Sequence, residues 1–297
     1  MRKYALISVS DKSGAENLAS GLARLGFNIL SSSGTASHLR DRGLEVVEVE
    51  EVTGFPEILD GRVKTLHPHI HAGILADRSN PEHLATLNRL DIQRIDLVAV
   101  NLYPFRETLG KTGTTRQKII ENIDIGGPSL LRAAAKNHAG VIVLCDPADY
   151  GSVLSELQAG GELPLESRIR LARKAFAHVS AYDAAIAGWL RGQEHADSEL
   201  ELPDHLEVSV PRAARLRYGE NPHQRAALYT AGQGGLSLLH GLELSFNNHL
   251  DIEATLRALR LFAAPTVVIT KHCNPCGIGC AERLPDAYQK ALAADTE

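Results

Sequence analysis

Short apolar stretches that alternate with helical patterns constrain the fold of this chain more than any other feature of its sequence. The apolar stretches are predicted strands at residues 4–9, 27–30, 44–49, 96–100 and 141–144. Between the first two, Leu18, Leu22 and Leu25 recur at helical spacing before Gly26. Strands that alternate with helices form βαβ units and a mostly parallel sheet. The sequence therefore predicts an α/β fold whose ligands bind beyond the carboxyl ends of the strands.

A polar, acidic segment at residues 193–211 indicates a domain boundary. Before it, residues 165–190 form one long helical pattern. After it, the pattern predicts a helix at 251–262 and a strand at 266–269. We predict two domains, at residues 1–200 and 201–297.

Charge and composition exclude two classes of partner. The chain carries 31 basic and 36 acidic residues, and no basic stripe, so we expect no nucleic-acid binding. Its apolar runs are far shorter than a membrane span, and Met1-Arg2-Lys3 opens no signal peptide. Four cysteines without such a signal favour a reducing, cytoplasmic location and no disulfides.

Two polar loops bring groups that bind anions. Residues 31–35, Ser-Ser-Ser-Gly-Thr, lie between a strand and a helix, where free N–H groups attract phosphate, although an ordinary N-cap fits as well. Lys12 follows the first strand and points to the same edge. In the loop at 61–68, Arg62 offers a fork for phosphate, and Lys64 a compact charge for an oxyanion. A solvated basic turn is the alternative for this loop.

A third loop, Asp124–Ser129, precedes a helix that has Pro128 in its first turn. Its glycines allow close approach to a ligand, and Lys136 lies about two turns along the helix. Asp124 is either a base or a cap. In the second domain Lys271 precedes His272 at a strand end, an arrangement that could keep the histidine neutral as a base or could be a surface pair.

Two clusters resemble metal sites but have incomplete ligand sets. His67, His69 and His71 would share one face on a strand, yet Pro68 intervenes and no acid follows nearby. The cysteines have C-x₂-C-x₃-C spacing without a fourth ligand, and Pro275 and Gly277 indicate a tight turn. We predict no metal at either cluster.

Together these loops resemble the bifunctional purine-biosynthesis family that combines IMP cyclohydrolase with AICAR transformylase. The motifs that carry the resemblance are Ser8–Lys12, Ser32–Thr35, Gly61–Pro68, Val100–Phe105, Ile123–Pro128, Arg132–Asn137, Leu216–Gln224 and Lys271–Gly277. No single loop is specific, but eight in the family's order span nearly the whole chain.

For the first domain, the resemblance implies a methylglyoxal-synthase-like fold and the conversion of formyl-AICAR to IMP with loss of water, without a cofactor. It implies a catalytic set of Lys64, Tyr103, Asp124 and Lys136. The implied substrate-binding residues are Ser10, Lys12, Ser32, Gly34, Thr35, Arg62, Thr65, His67, Asn101, Gly126 and Gly127.

For the second domain, the resemblance implies the start of a cytidine-deaminase-like α/β transformylase domain. Its co-substrate would be 10-formyltetrahydrofolate, and Lys271 and His272 would be its catalytic pair. The resemblance also implies that the protein is a homodimer. Residues Arg217, Tyr218, Asn221 and His223 match the AICAR-binding motif.

The chain also departs from the family. Ser33 stands where relatives often carry glycine, and family members run far beyond residue 297. We therefore expect cyclohydrolase and not transformylase activity. The alternatives on the same fold are a nucleotide-sensing module without catalysis and a methylglyoxal synthase, for which Asp124 is the one plausible base.

Overall fold

The computed structural model describes residues 3–194, 208, 210–230 and 236–295. The chain divides into two compact units, Met1–Pro203 and Asp204–Glu297. Most of the polar segment that we predicted as the domain boundary lies outside the described residues.

A parallel five-stranded sheet forms the centre of the first unit. Its strands are β1 (Lys3–Val9), β2 (Phe27–Ser31), β3 (Val47–Glu48), β4 (Ile95–Asn101) and β5 (Ile142–Leu144). Their order is β3-β2-β1-β4-β5, and every neighbouring pair is parallel. Leu6 and Ile7 in β1 and Leu97 in β4 have no exposed surface. Apolar strands of this kind are typical of a parallel sheet that is covered on both faces.

Helices connect these strands and cover the sheet. They are α1 (Ala15–Arg24), α2 (Ser33–Arg40), α3 (Val49–Thr53), α4 (Pro68–Leu75), α5 (Pro81–Arg89), α6 (Phe105–Leu109), α7 (Arg116–Glu121), α8 (Gly126–Lys136), α9 (Tyr150–Gly160) and α10 (Leu165–Glu194). A 3-10 turn, Pro147–Asp149, precedes α9. The long helix α10 packs on α8 and β5. The predicted α/β alternation is therefore present throughout this unit.

The third strand was predicted at residues 44–49 and is much shorter: it begins only at Val47, and a helix replaces it at Val49. Glu48 and Glu51 form a reciprocal capping box at the start of α3. The Glu48 N–H donates to the Glu51 carboxylate at 2.9 Å. A capping box satisfies helix-end donors, so the chain leaves the sheet at Val49.

The second unit contains two antiparallel strand pairs and two helices. Strand β6 (Arg212–Arg215) pairs with β7 (Ala227–Tyr229), and β8 (Thr266–Lys271) pairs with β9 (Asn274–Cys280). Helices α11 (Phe246–Leu259) and α12 (Leu284–Ala293) contact the second pair.

Two predictions for this unit were wrong in detail. The helix predicted at 251–262 begins at Phe246, because Ser245 caps it by accepting the Asn248 N–H at 3.3 Å. The turn near the cysteines is confined to His272 and Cys273, while Pro275 and Gly277 lie within β9. Among the described residues, every helix is too short or too polar to cross a bilayer.

Candidate active site

A cavity of about 600 Å³ opens at the carboxyl edge of β1, β2 and β4. Its wall is built from five loops, which follow those three strands, precede α4 and precede α8. Its lining includes Ser10, Lys12, Ser32, Ser33, Gly34, Thr35, Gly61, Arg62, Lys64, Thr65, Asn101, Tyr103, Glu121, Asp124, Gly126 and Gly127. The sheet thus brings together loops that are more than a hundred residues apart, as expected for a ligand site of a parallel sheet.

Lys12 and Thr35 join the first two loops at the base of the cavity. The Lys12 ammonium donates to Thr35 Oγ1 at 2.8 Å and to the Val9 carbonyl. Thr35 Oγ1 also lies 3.1 Å from Val9 O and accepts the Val9 N–H at 3.2 Å. Burial lowers the pKa of Lys12, Asp11 opposes this effect, and Lys64 adds to it. Among the described residues Lys12 has no ion-pair partner, so this cation is available to an anion.

Helix α2 begins at Ser33 and has its N-terminal residues in the cavity wall. Free N–H groups and the helix dipole favour an anion at such an end. Ser33 itself has φ +44°, in the left-handed region that favours glycine. Its hydroxyl donates to the Glu57 carboxylate and accepts from the Lys64 ammonium at 3.2 Å. Ser33 therefore has a strained backbone conformation, and its hydroxyl makes two polar contacts there.

The strain at Ser33 leads to a stability prediction. The variants Ser33→Gly and Ser33→Ala both lose the hydroxyl, but only glycine adopts the left-handed conformation freely. We expect the glycine variant to have the higher free energy of unfolding, by about 1 kcal/mol, after its extra freedom in the unfolded state offsets part of the relief. Urea denaturation of both variants measures this difference. Equal stabilities would show that the backbone at residue 33 is relaxed.

Lys64 lies in the cavity wall next to the start of α2. Its ammonium is 3.3 Å from Glu57 Oε1, and the two side chains are 26% and 31% exposed. The backbone of Gly61, at φ +88°, leaves the room for this pair, since a Cβ there would lie 2.7 Å from Glu57 Oε1 and 3.1 Å from Lys64 Nζ. Sequence reasoning missed Glu57, because a single acid in a loop carries no pattern.

Asp124 and Tyr103 occupy the side of the cavity next to α8. The Asp124 carboxylate accepts the Gly127 N–H at 2.8 Å, and the backbone of Tyr103 lies close to it. Burial raises the pKa of Asp124, and these two backbone groups and Lys64 oppose that effect. A Cβ on Gly127 would lie 2.4 Å from Asp124 Oδ2, so this approach requires glycine. A half-buried carboxyl group of this kind is suited to taking and returning a proton.

The backbone of Asp124 is held independently of its carboxylate. Its N–H donates to the Tyr182 hydroxyl at 2.8 Å, and that hydroxyl donates to Asn122 O at 3.0 Å. Tyr182 in α10 was also missed by sequence reasoning. It fixes the loop from behind, which leaves the Asp124 carboxylate directed to the start of α8.

Three other predicted binding residues have structural partners. Asn101 Oδ1 accepts the N–H groups of Ser10 at 2.6 Å and Asp11 at 2.9 Å, and so shapes the loop after β1. Arg62 forms an ion pair with Glu121 at the cavity wall. The His67 ring accepts the His69 N–H at 3.2 Å and caps α4 outside the lining.

Lys136 is the one member of the implied catalytic set that lies outside the cavity lining. It is the exposed last residue of α8, whereas Gly126 and Gly127 at the other end form part of the wall. A helix rises about 1.5 Å per residue, so α8 separates Lys136 from Asp124 by roughly 15 Å.

The histidine cluster lies at the start of a helix and not on a strand, so His67, His69 and His71 do not share a strand face. In the part of the chain that the structure describes, no three His, Cys, Asp or Glu side chains are arranged to hold a metal ion.

The predicted transformylase residues lie in two places within the second unit. Arg217 and Tyr218 follow β6, and the guanidinium lies 5.0 Å from the tyrosine ring centre. Asn221 and His223 follow in the same loop, where the Asn221 N–H donates to Gln224 Oε1 at 2.8 Å.

Lys271 ends β8, and His272 and Cys273 form the two-residue turn to β9 with φ +50° and +63°. Left-handed backbone at two non-glycine residues is strained and is maintained by local contacts. One such contact is the Cys273 N–H, which donates to Asp251 Oδ1 at 2.8 Å.

Comparison with protein families matches both units. Residues 134–297 match the family described as AICARFT/IMPCHase bienzyme, and residues 14–129 match the MGS-like domain. The methylglyoxal-synthase-like fold predicted for the first domain is thereby confirmed, as is the family resemblance.

Curated relatives match nearly the whole chain. The bifunctional purine biosynthesis proteins PurH of Ruminiclostridium cellulolyticum and Bacillus cereus are each 48% identical to it over 301 residues, which cover 99% of this chain. The chain spans 58% of the length of these relatives. Among solved structures, the crystal structure of ForH is 42% identical with a TM-score of 0.60, and the match covers 66% of this chain and 100% of that one.

Proposed function

Because this chain belongs to the AICARFT/IMPCHase bienzyme family, we propose that the cavity of its first unit closes the purine ring of IMP. The substrate would be formyl-AICAR, and water would be lost. The observation that carries this proposal is the cavity itself: its wall contains Lys12, which is half-buried and has no ion-pair partner among the described residues, the N-terminus of α2, and Lys64, Tyr103 and Asp124.

The phosphate of the nucleotide would bind at the base of the cavity. Lys12 supplies the charge, and α2 supplies the positive end of its dipole near Gly34 and Thr35. Ser10 and Ser32 line the same side and add hydroxyl donors. Arg62 would reach the nucleotide after it exchanges Glu121 for an anionic group.

Ring closure with loss of water moves two protons to the formyl oxygen and creates one transient oxyanion. The carboxamide nitrogen attacks the formyl carbon, a C–N bond forms, and negative charge develops on the formyl oxygen. We assign Lys64 to this oxyanion, because its ammonium lies at the cavity wall. Asp124 and Tyr103 would pass one proton from the attacking carboxamide nitrogen and one from the formamide nitrogen to the formyl oxygen, so that this oxygen leaves as water and the C=N bond forms to the formamide nitrogen. We assign Lys136 no step.

For the whole protein we propose the second activity of the family as well. AICAR would bind at Arg217, Tyr218, Asn221 and His223, and Lys271 with His272 would promote formyl transfer from 10-formyltetrahydrofolate. A homodimer and a cytoplasmic location are part of the same proposal. It is supported by the match of residues 134–297 and by the PurH relatives, which are named bifunctional purine biosynthesis proteins.

An assay of ring closure tests the first activity. We expect the purified chain to convert formyl-AICAR to IMP, seen as an absorbance change and confirmed by the mass of the product. The reaction should need no added metal or folate. Binding heat without IMP would contradict the proposal and support the nucleotide-sensing alternative.

A further inference from the structure

Glu57 is the charged residue nearest to the proposed oxyanion lysine, yet it is not part of the cavity wall. It lies behind Ser33 and Lys64, which are both part of the cavity wall. Its Oε1 is 3.3 Å from Lys64 Nζ, and its Oε2 accepts the Ser33 hydroxyl. Since Ser33 Oγ also lies 3.2 Å from Lys64 Nζ, the three side chains contact one another in a closed triangle.

Glu57 is itself held in place from two sides. Its backbone N–H donates to Glu50 Oε1 at 2.7 Å, and Glu50 belongs to α3. The Ser33 hydroxyl, and after it Lys64, lower the pKa of Glu57 against the effect of its burial. The carboxylate is therefore ionised and fixed, as a partner that orients a flexible lysine must be.

We propose that Glu57 is a positioning residue that directs the Lys64 ammonium into the cavity for ring closure, an inference that rests on the proposed function. A lysine side chain has four rotatable bonds and loses orientation when its partner is removed. A displacement of about 1 Å at a reacting centre lowers rates by up to about a hundredfold.

Removing the charge of Glu57 distinguishes a positioning role from a purely structural role. A carboxylate close to an anion site repels a nucleotide phosphate, so it opposes substrate binding while it supports the reaction. Replacing it with a neutral isostere should therefore improve binding and impair turnover. A residue that only maintains the fold would impair both.

The variant Glu57→Gln tests the proposal against a matched control, Glu45→Gln, which neutralises an exposed carboxylate outside the cavity lining. We expect kcat of Glu57→Gln to fall about ten- to a hundredfold. We expect its Kd for IMP, measured by titration calorimetry, to tighten about threefold. The control should match the wild type in both. A kcat within twofold of wild type, or a Kd that weakens, would overturn the inference.

A second measurement does not depend on catalysis. The rate at which an acylating reagent modifies the Lys64 amine, mapped by peptide mass spectrometry, reports whether the ammonium is held by its partner. We expect Glu57→Gln to accelerate this modification several-fold, with no change at Lys111. An unchanged rate would overturn the positioning role even if the wild-type chain formed no IMP, a result that would separately contradict the proposed function.

Discussion

Replacing Lys64 with alanine should lower kcat for ring closure by about a hundredfold or more, with a much smaller change in KM. The reason is that charge on the formyl oxygen appears only as the new C–N bond forms. Lys64 would stabilise that charge, whereas we assign the phosphate to Lys12 and the start of α2. Steady-state kinetics with formyl-AICAR measures both parameters.

The fold should tolerate this change, because Glu57 keeps its hydrogen bond from Ser33 when Lys64 is absent. Lys111→Ala, which removes an exposed lysine outside the cavity lining, is the matched control and should behave as wild type. Near-normal turnover of Lys64→Ala would exclude the oxyanion role. Lys136→Ala, assayed in parallel, decides whether the far end of α8 contributes to the reaction.

The parts of the site that sequence patterns predicted are those fixed by the sheet. Parallel strands end at one edge, so Lys12 after β1, Thr35 after β2 and Tyr103 after β4 had to come close together once the strands were recognised. The start of α8 was predictable for a similar reason, since Asp124 and two glycines precede Pro128.

The parts that were not predicted depend on how loops fold back. Glu57 reaches Lys64 because the chain between them reverses, with Ile58 and Val63 paired through backbone hydrogen bonds. Helical spacing placed Lys136 two turns along α8, but it did not predict the direction in which the helix runs from the cavity. The helix runs away from the cavity, and Lys136 is at its far end. Contacts of this kind come from tertiary structure and leave no periodic pattern.

The variant Asp124→Asn should have opposite effects on activity and stability. We expect kcat for ring closure to fall by about a hundred- to ten-thousandfold, because an amide cannot take the carboxamide proton. The Gly127 N–H keeps an acceptor, since the Asn side-chain oxygen replaces the carboxylate oxygen that it now contacts at 2.8 Å. The cavity should therefore remain intact, and nucleotide binding measured by calorimetry should survive.

The stability effect follows from burial, which raises the pKa of Asp124 in the folded protein. Such a group holds its proton more tightly when folded than when unfolded, so the free energy of unfolding falls as pH rises from the ordinary aspartate range through the folded pKa. Asparagine carries no charge to desolvate. The stability of Asp124→Asn relative to wild type should thus be greatest near pH 7, should decline as pH falls through the folded pKa towards about 4, and should be constant below that pH. Urea denaturation across this range measures it, and a difference that grows towards acidic pH would mean that the folded site favours the ionised carboxylate.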